Sequence, residues 1–127
     1  MGGKPHVLIV EDDLLVNSSL ERFLRQNDLE VDCASSGEEG LAKFRDLHYD
    51  LVLTDLKLPG MNGLEMVRRM HQTDDALPFA VMSAYNEFDD ALHALKMGAM
   101  DFLAKPFDAK KILHLIEKIK SPHTVSI

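Results

Sequence analysis

Short apolar runs alternate with longer amphipathic stretches along this chain. His6–Val10 is the first run, and a run of that length without polar interruption reads as a strand buried on both faces. Residues 14–27 follow, with Val16, Leu20, Phe23 and Leu24 recurring on one helical stripe. Glu30–Ala34 is a second, weaker strand. Ser36 and Glu39 have the spacing of a capping box, which predicts a helix from there through Arg45. Residues 50–54 form a third strand. Gly63–His71 is a helix with Leu64, Val67 and Met70 inward. Residues 78–82 are the fourth strand, and residues 86–97 a helix that Gly98 stops. Residues 101–104 make a short fifth strand. Asp108 then caps a last helix through Lys120, with Ile112, Leu115, Ile116 and Ile119 inward. Met66, Met70, Met82, Met97 and Met100 read as core filler.

Strands alternating with helices in this way predict an α/β fold, a parallel sheet covered on both faces. Ligands of such sheets bind beyond the carboxyl ends of the strands, where the strand order reverses. The residues that follow strands one, three, four and five therefore belong together. They are Glu11, Asp12 and Asp13; Asp55; Ser83, Ala84 and Tyr85; and Lys105 with Pro106.

Composition narrows the class. The chain has 127 residues, 46% hydrophobic and 28% charged, which suits one soluble domain. Its net charge of -7 argues against a domain that grips nucleic-acid phosphates, which needs a basic face. The single cysteine, Cys33, allows no internal disulfide, which fits a reducing, cytoplasmic setting. No apolar stretch approaches the roughly 18 residues of a membrane span. The domain is expected over residues 5–120, with 121–127 a tail or a truncated linker.

The candidate chemistry lies at the strand ends. Asp55 closes the apolar run Leu51-Val52-Leu53-Thr54, and three acids follow Val10. Packed carboxylates raise one another's pKa and cost stability, a cost that a bound divalent cation removes. Asp12 and Asp55 can offer oxygens to Mg2+ at about 2.1 Å. Asp55 can then act as a nucleophile toward a phosphoryl group, with the Ser83 hydroxyl and the Lys105 ammonium on its oxygens. Each group alone has a plainer reading. Asp12 or Asp13 can cap the first helix, and for Asp13 capping is preferred. Asp55 can begin a turn, Ser83 can satisfy a strand end, and Lys105 can be a solvated lysine before a turn proline. Four such groups meeting at one sheet edge favour the chemical reading.

The motifs Leu8-Ile9-Val10-Glu11-Asp12-Asp13, Asp50-Leu51-Val52-Leu53-Thr54-Asp55-Leu56-Lys57-Leu58-Pro59-Gly60, Val81-Met82-Ser83-Ala84-Tyr85 and Gly98-Ala99-Met100-Asp101-Phe102-Leu103-Ala104-Lys105-Pro106-Phe107 resemble those of response-regulator receiver domains of two-component signalling. The resemblance implies a doubly wound, flavodoxin-like sheet of five parallel strands in the order 2-1-3-4-5, flanked by five helices. It implies that Asp55 is the phosphoacceptor, with Mg2+ or Mn2+ as cofactor. Asp12 is then a direct metal ligand, Glu11 acts through water, and the Lys57 backbone carbonyl is a further ligand. Ser83 becomes the switch hydroxyl, Lys105 the phosphate-binding lysine and Phe102 the switch aromatic. The Lys105–Pro106 peptide is expected to be cis. Implied partners are a sensor histidine kinase, an output domain in a longer chain, and a second copy on phosphorylation, with no direct nucleic-acid or membrane contact by this domain. Lys57 and Tyr85 fall on the rim, where they can crowd the water that hydrolyses an acyl phosphate and so set its lifetime.

Three departures stand out. Glu11 and Ser83 occupy positions where Asp and Thr are commoner, and Phe102 lacks a tyrosine's hydroxyl. The last helix lacks the acid-leucine-arginine pattern of the winged-helix regulators, which puts their charged dimer face in doubt here. Rival readings fit less well. A haloacid-dehalogenase-type phosphatase needs a second Asp two residues after the nucleophile, where this chain has Lys57. A flavodoxin-type nucleotide module needs a glycine-rich loop after the first strand, where this chain has acids. A pseudo-receiver lacks the acceptor, an acid or the lysine, and all are present here.

Overall fold

Each strand's residues alternate between two cores, and that alternation organises the molecule. A computed structural model describes residues 3–84 and 88–120. The elements run β1 (His6–Val10), α1 (Leu14–Gln26), β2 (Glu30–Ala34), α2 (Gly37–Asp46), β3 (Leu51–Asp55), α3 (Gly63–His71), β4 (Phe79–Ser83), α4 (Phe88–Lys96), β5 (Phe102–Ala104) and α5 (Lys110–Lys120). All strand pairs are parallel, in the order β2-β1-β3-β4-β5. Successive side chains of a strand point to opposite faces. Val7, Ile9, Leu51, Leu53, Ala80 and Met82 thus join Leu20, Leu24, Ile112, Leu115 and Ile116 of α1 and α5. Leu8, Val10, Val52, Phe79 and Val81 face the other way, against Leu41, Met66, Val67, Met70 and Ala94 of α2, α3 and α4. With apolar residues on both faces, the central strands read as uninterrupted apolar runs, and β3 and β4 are buried throughout.

Parallel strands in this order place every carboxyl end at one edge. The order turns between β1 and β3, which opens the crevice there. Strand boundaries differ from the sequence reading by a residue or two. β3 starts at Leu51 and includes Asp55, which lies in register with Met82. β4 likewise runs on to Ser83, in register with Ala104. β5 begins at Phe102, whose amide donates to the Asp101 side chain at 2.8 Å.

Helix ends follow from local chemistry. Asp13 caps α1, its carboxylate accepting from the amides of Leu15 and Val16. Ser36 caps α2 by accepting from the Glu39 amide at 3.0 Å. The expected reciprocal half of that box is displaced by one residue: the Glu39 carboxylate accepts from the amide and hydroxyl of Ser35, at 2.8 and 3.0 Å. α4 stops before Gly98, whose φ of 108° suits glycine. The expected start of that helix at residues 86 and 87, the rim residue Tyr85 and the tail 121–127 lie outside the described residues. Among the described residues no helix is long and apolar enough to cross a membrane.

Candidate functional site

Four strand ends deliver the site. β1 leads into Glu11 and Asp12, β3 ends at Asp55, β4 ends at Ser83, and β5 leads to Lys105. The Lys105 Nζ lies 2.6 Å from Glu11 Oε1 and 2.7 Å from Asp55 Oδ2, so one ammonium joins two carboxylates carried by different strands. The peptide from Lys105 to Pro106 is cis.

The two carboxylates differ in setting. Glu11 is 1% exposed, and its Oε2 accepts from the Asp13 amide at 3.0 Å. Burial pushes the Glu11 carboxyl above its ordinary range, because the hydrogen bonds from Lys105 and Asp13 only partly offset its desolvation and the Asp55 charge adds to it. Asp55 is buried as well, and its Oδ1 accepts from the Lys57 amide at 3.1 Å. Burial alone would lower the Lys105 pKa, but its hydrogen bonds and attraction to Asp55 and Glu11 prevail, so it is raised. Asp12 is exposed. Ligand oxygens of Glu11, Asp12 and Asp55 all lie within 4.8 Å of one another. Three carboxylates beside one lysine leave negative charge uncompensated, and an all-oxygen donor set of this kind fits a hard divalent cation.

Ser83 is 1% exposed, and its Oγ has no hydrogen-bond partner among the described residues. A buried hydroxyl left unpaired is costly. Phe102 is half-buried and packs against the core on the α2–α4 side. The Lys57 side chain does not lie over the carboxylates. It turns to α4, where its Nζ is 3.5 Å from Asp90 Oδ2.

Two further features escaped sequence reasoning. Thr54 Oγ1 donates to the Asp55 carbonyl at 2.9 Å, and Gly63 packs against that same carbonyl so closely that a Cβ would collide with it. Gly63 is therefore what allows α3 to begin directly behind the end of β3. The second feature is Asn17, 5% exposed, whose Nδ2 donates to the carbonyls of Glu11 and Ala34. The missed signal was its position, since Asn17 shares the helical stripe of Leu20 and Leu24, where a polar residue needs a reason. Of the histidines, His6 sits at the opposite edge of the sheet, paired with Asp32.

Comparison with known proteins agrees with this layout. The family profile for the response regulator receiver domain matches residues 7–117. The chain is 34% identical over 116 residues to the transcriptional regulatory protein ZraR of Salmonella typhimurium, covering 91% of this chain and 26% of that protein. It thus spans about a quarter of that relative's length. Among solved structures, a response regulator receiver domain protein from Clostridium thermocellum superposes with a TM-score of 0.87 at 26% identity, covering 93% of this chain and 95% of that one. The non-phosphorylated HemR receiver domain from Leptospira biflexa gives 0.83 at 31% identity, covering 98% and 100%. With its sheet order, its crevice of strand-end acids and this profile match, the chain belongs to the response-regulator receiver family, the signalling domains of two-component systems.

Proposed function

We propose that this receiver accepts a phosphoryl group on Asp55 and works as a phosphorylation-driven switch. The observation that carries this reading is the Lys105 ammonium held jointly by Asp55 and Glu11, together with a buried Ser83 hydroxyl that has no partner among the described residues. Those groups are matched to a phosphoryl group not yet there. An Asp55 oxygen attacks phosphorus while the bond to the donor nitrogen, or to the acyl oxygen of a small acyl phosphate, breaks. The site's contribution is charge stabilisation and in-line positioning. Mg2+ or Mn2+, held by Asp12, Asp55, the Lys57 carbonyl and Glu11, the last through water, would supply the missing positive charge. Lys105 then trades a carboxylate oxygen for a phosphoryl oxygen, and Ser83 gains the acceptor it lacks.

The consequence is read on the face of α4, β5 and α5. Phe88, Leu92 and Leu95 are exposed large apolar residues of α4, at 59%, 40% and 37%, and their four- and three-residue spacing puts them on one face. Asp89 and Asp90 lie in the first turn of that helix, with His93 and Lys96 in its last. An output domain in a longer chain, or a second copy, would cover this stripe. Ser83 drawn toward the phosphoryl group shifts the end of β4, and half-buried Phe102 follows inward, a small two-state change biased by local charge. A sensor histidine kinase in the cytoplasm is the fitting donor. A relative about three and a half times this chain's length supports an attached output module.

The test is mass spectrometry after incubation with acetyl phosphate and Mg2+. One phosphoryl adduct, labile to hydroxylamine, should form on Asp55 and vanish in Asp55→Asn. An adduct that persists in that variant on a histidine overturns the assignment.

A further inference from the structure

The Asp12 side chain is held by no hydrogen bond or ion pair among the described residues, yet its carboxylate stands within reach of Glu11 and Asp55. Its placement must therefore come from the backbone, and the backbone there is held by Asn17. The Asn17 Nδ2 lies 2.9 Å from the Glu11 carbonyl and 3.1 Å from the Ala34 carbonyl. The Glu11 amide also donates to Ala34 O, at 3.0 Å. The ends of β1 and β2 are thereby stitched to each other and to α1. A peptide is planar and trans, so a Glu11 carbonyl fixed toward α1 orients the whole Glu11–Asp12 peptide and with it the direction in which the Asp12 side chain departs. Glu11 is fixed at its other end by Lys105 and the Asp13 amide. The Asp12 backbone is held on its far side by that Asp13 amide and on its near side, at the Glu11 carbonyl, by Asn17.

We infer that Asn17 is a positioning residue for the acidic site: by clamping the Glu11 carbonyl it sets where Asp12 presents its carboxylate to a divalent cation. The chemistry of the clamp explains the residue type. Bridging two strand-end carbonyls, one of which already accepts from the Glu11 amide, takes two donors from one side chain, and the carboxamide of asparagine offers two N–H groups from one nitrogen. Hydroxyl side chains offer one, and a carboxylate offers none. The inference rests on the metal-assisted reading of the site given above. Residues that orient metal ligands without touching the metal commonly change affinity by about 10-fold or more when replaced.

The test is a Mg2+ titration of the metal-free protein, followed by amide NMR shifts, in wild type, Asn17→Leu, Asn17→Ser and Leu24→Ala. Leu24 is fully buried on the same helix and touches no part of the acidic loop's hydrogen bonds, so Leu24→Ala reports what destabilising α1 does by itself. Asn17→Leu keeps the branched shape at a larger volume and removes both donors. If that variant does not fold, Asn17→Ser, which leaves room for water on the two carbonyls, carries the test. The expected result is Mg2+ binding weakened by about 10-fold in the Asn17 variants, with wild-type affinity retained in Leu24→Ala. Unchanged affinity in a folded Asn17 variant, or equal loss in Leu24→Ala, overturns the positioning role while leaving the metal site standing. Absence of Mg2+ binding by the wild type overturns the metal reading and this inference with it.

Discussion

The two edges of the sheet are built from the same residue types and behave oppositely. At the amino edge, Asp32 accepts from the Tyr49 hydroxyl at 2.8 Å and pairs with His6 Nε2 at 2.8 Å, and Asp50 accepts from the His6 amide at 2.8 Å. The His6 and Tyr49 rings lie with centroids 4.6 Å apart, tilted by 53°. Asp32 loses some solvation, but Tyr49 and His6 outweigh that, and its pKa is lowered. At the carboxyl edge, Glu11 and Asp55 share Lys105 while Asp12 stands close by, the Glu11 pKa is raised, and the Ser83 hydroxyl has no partner among the described residues. A buried polar network that is fully paired contributes rigidity. One left short of positive charge costs stability and is worth keeping only if something else completes it. Carboxylates alone do not mark a site; the unpaired remainder does.

The largest expected difference between the edges is their response to Mg2+. A ligand that binds only the folded state stabilises by about 2.7 kcal/mol at a concentration 100 times its Kd. Thermal melts should therefore rise with Mg2+ in wild type and in Asp32→Asn, and stay flat in Asp12→Ala. In the absence of metal, Asp12→Ala should match or exceed wild-type stability, since one like charge is gone. A metal response in Asp12→Ala equal to wild type would place the cation elsewhere.

Next in size is the loss on breaking the amino edge. Asp32→Ala leaves the Tyr49 hydroxyl buried without its acceptor, a cost of about 1–3 kcal/mol. Urea titration should show that loss with and without Mg2+ alike. A loss that appeared only in the presence of Mg2+ would mean the two edges are coupled.

Their pH dependence should also have opposite sign. The lowered Asp32 pKa gives stability that is present above the unfolded value of 3.8 and is lost as pH falls through the folded one. The raised Glu11 pKa means the folded state holds its proton longer, so metal-free stability falls as pH rises from 4.5 through the folded value. Asp32→Asn should flatten the acid limb of a stability profile, and Glu11→Gln the fall above pH 4.5. If Glu11→Gln left that fall intact, its carboxylate would not be the strained group.

How much of this was legible in the sequence follows from which interactions are local. Strand runs, helix stripes and the Asp13 cap depend on neighbours within a few residues, so their patterns survive in one dimension. The convergence of Glu11, Asp55, Ser83 and Lys105 was legible because parallel topology sends every strand's carboxyl end to one edge. The Asn17 clamp and the displaced capping contact of Glu39 were not, since each depends on which carbonyl or amide happens to be free once the chain has packed. The orientation of Lys57 was illegible for the same reason: nothing in the order of residues says that a side chain beside the acceptor will turn toward α4.

That orientation gives the smallest prediction. The rim reading assigns Lys57 a part in phosphoryl lifetime by crowding water near Asp55. The structure places its Nζ at 3.5 Å from Asp90, with both side chains largely exposed, so any influence on the rim passes through a surface ion pair worth at most about 1 kcal/mol. An effect of that size through the pair changes a decay rate by at most about fivefold. If the pair holds the β3–α3 loop against α4, Lys57→Ala and Asp90→Ala should shift the acyl-phosphate decay in the same direction and by the same factor. The exchanged pair Lys57→Asp with Asp90→Lys should restore it, since the Lys57 backbone carbonyl is untouched by either change. High salt should shrink the difference. A change in Lys57→Ala with none in Asp90→Ala would return the lysine to the rim, acting on water directly.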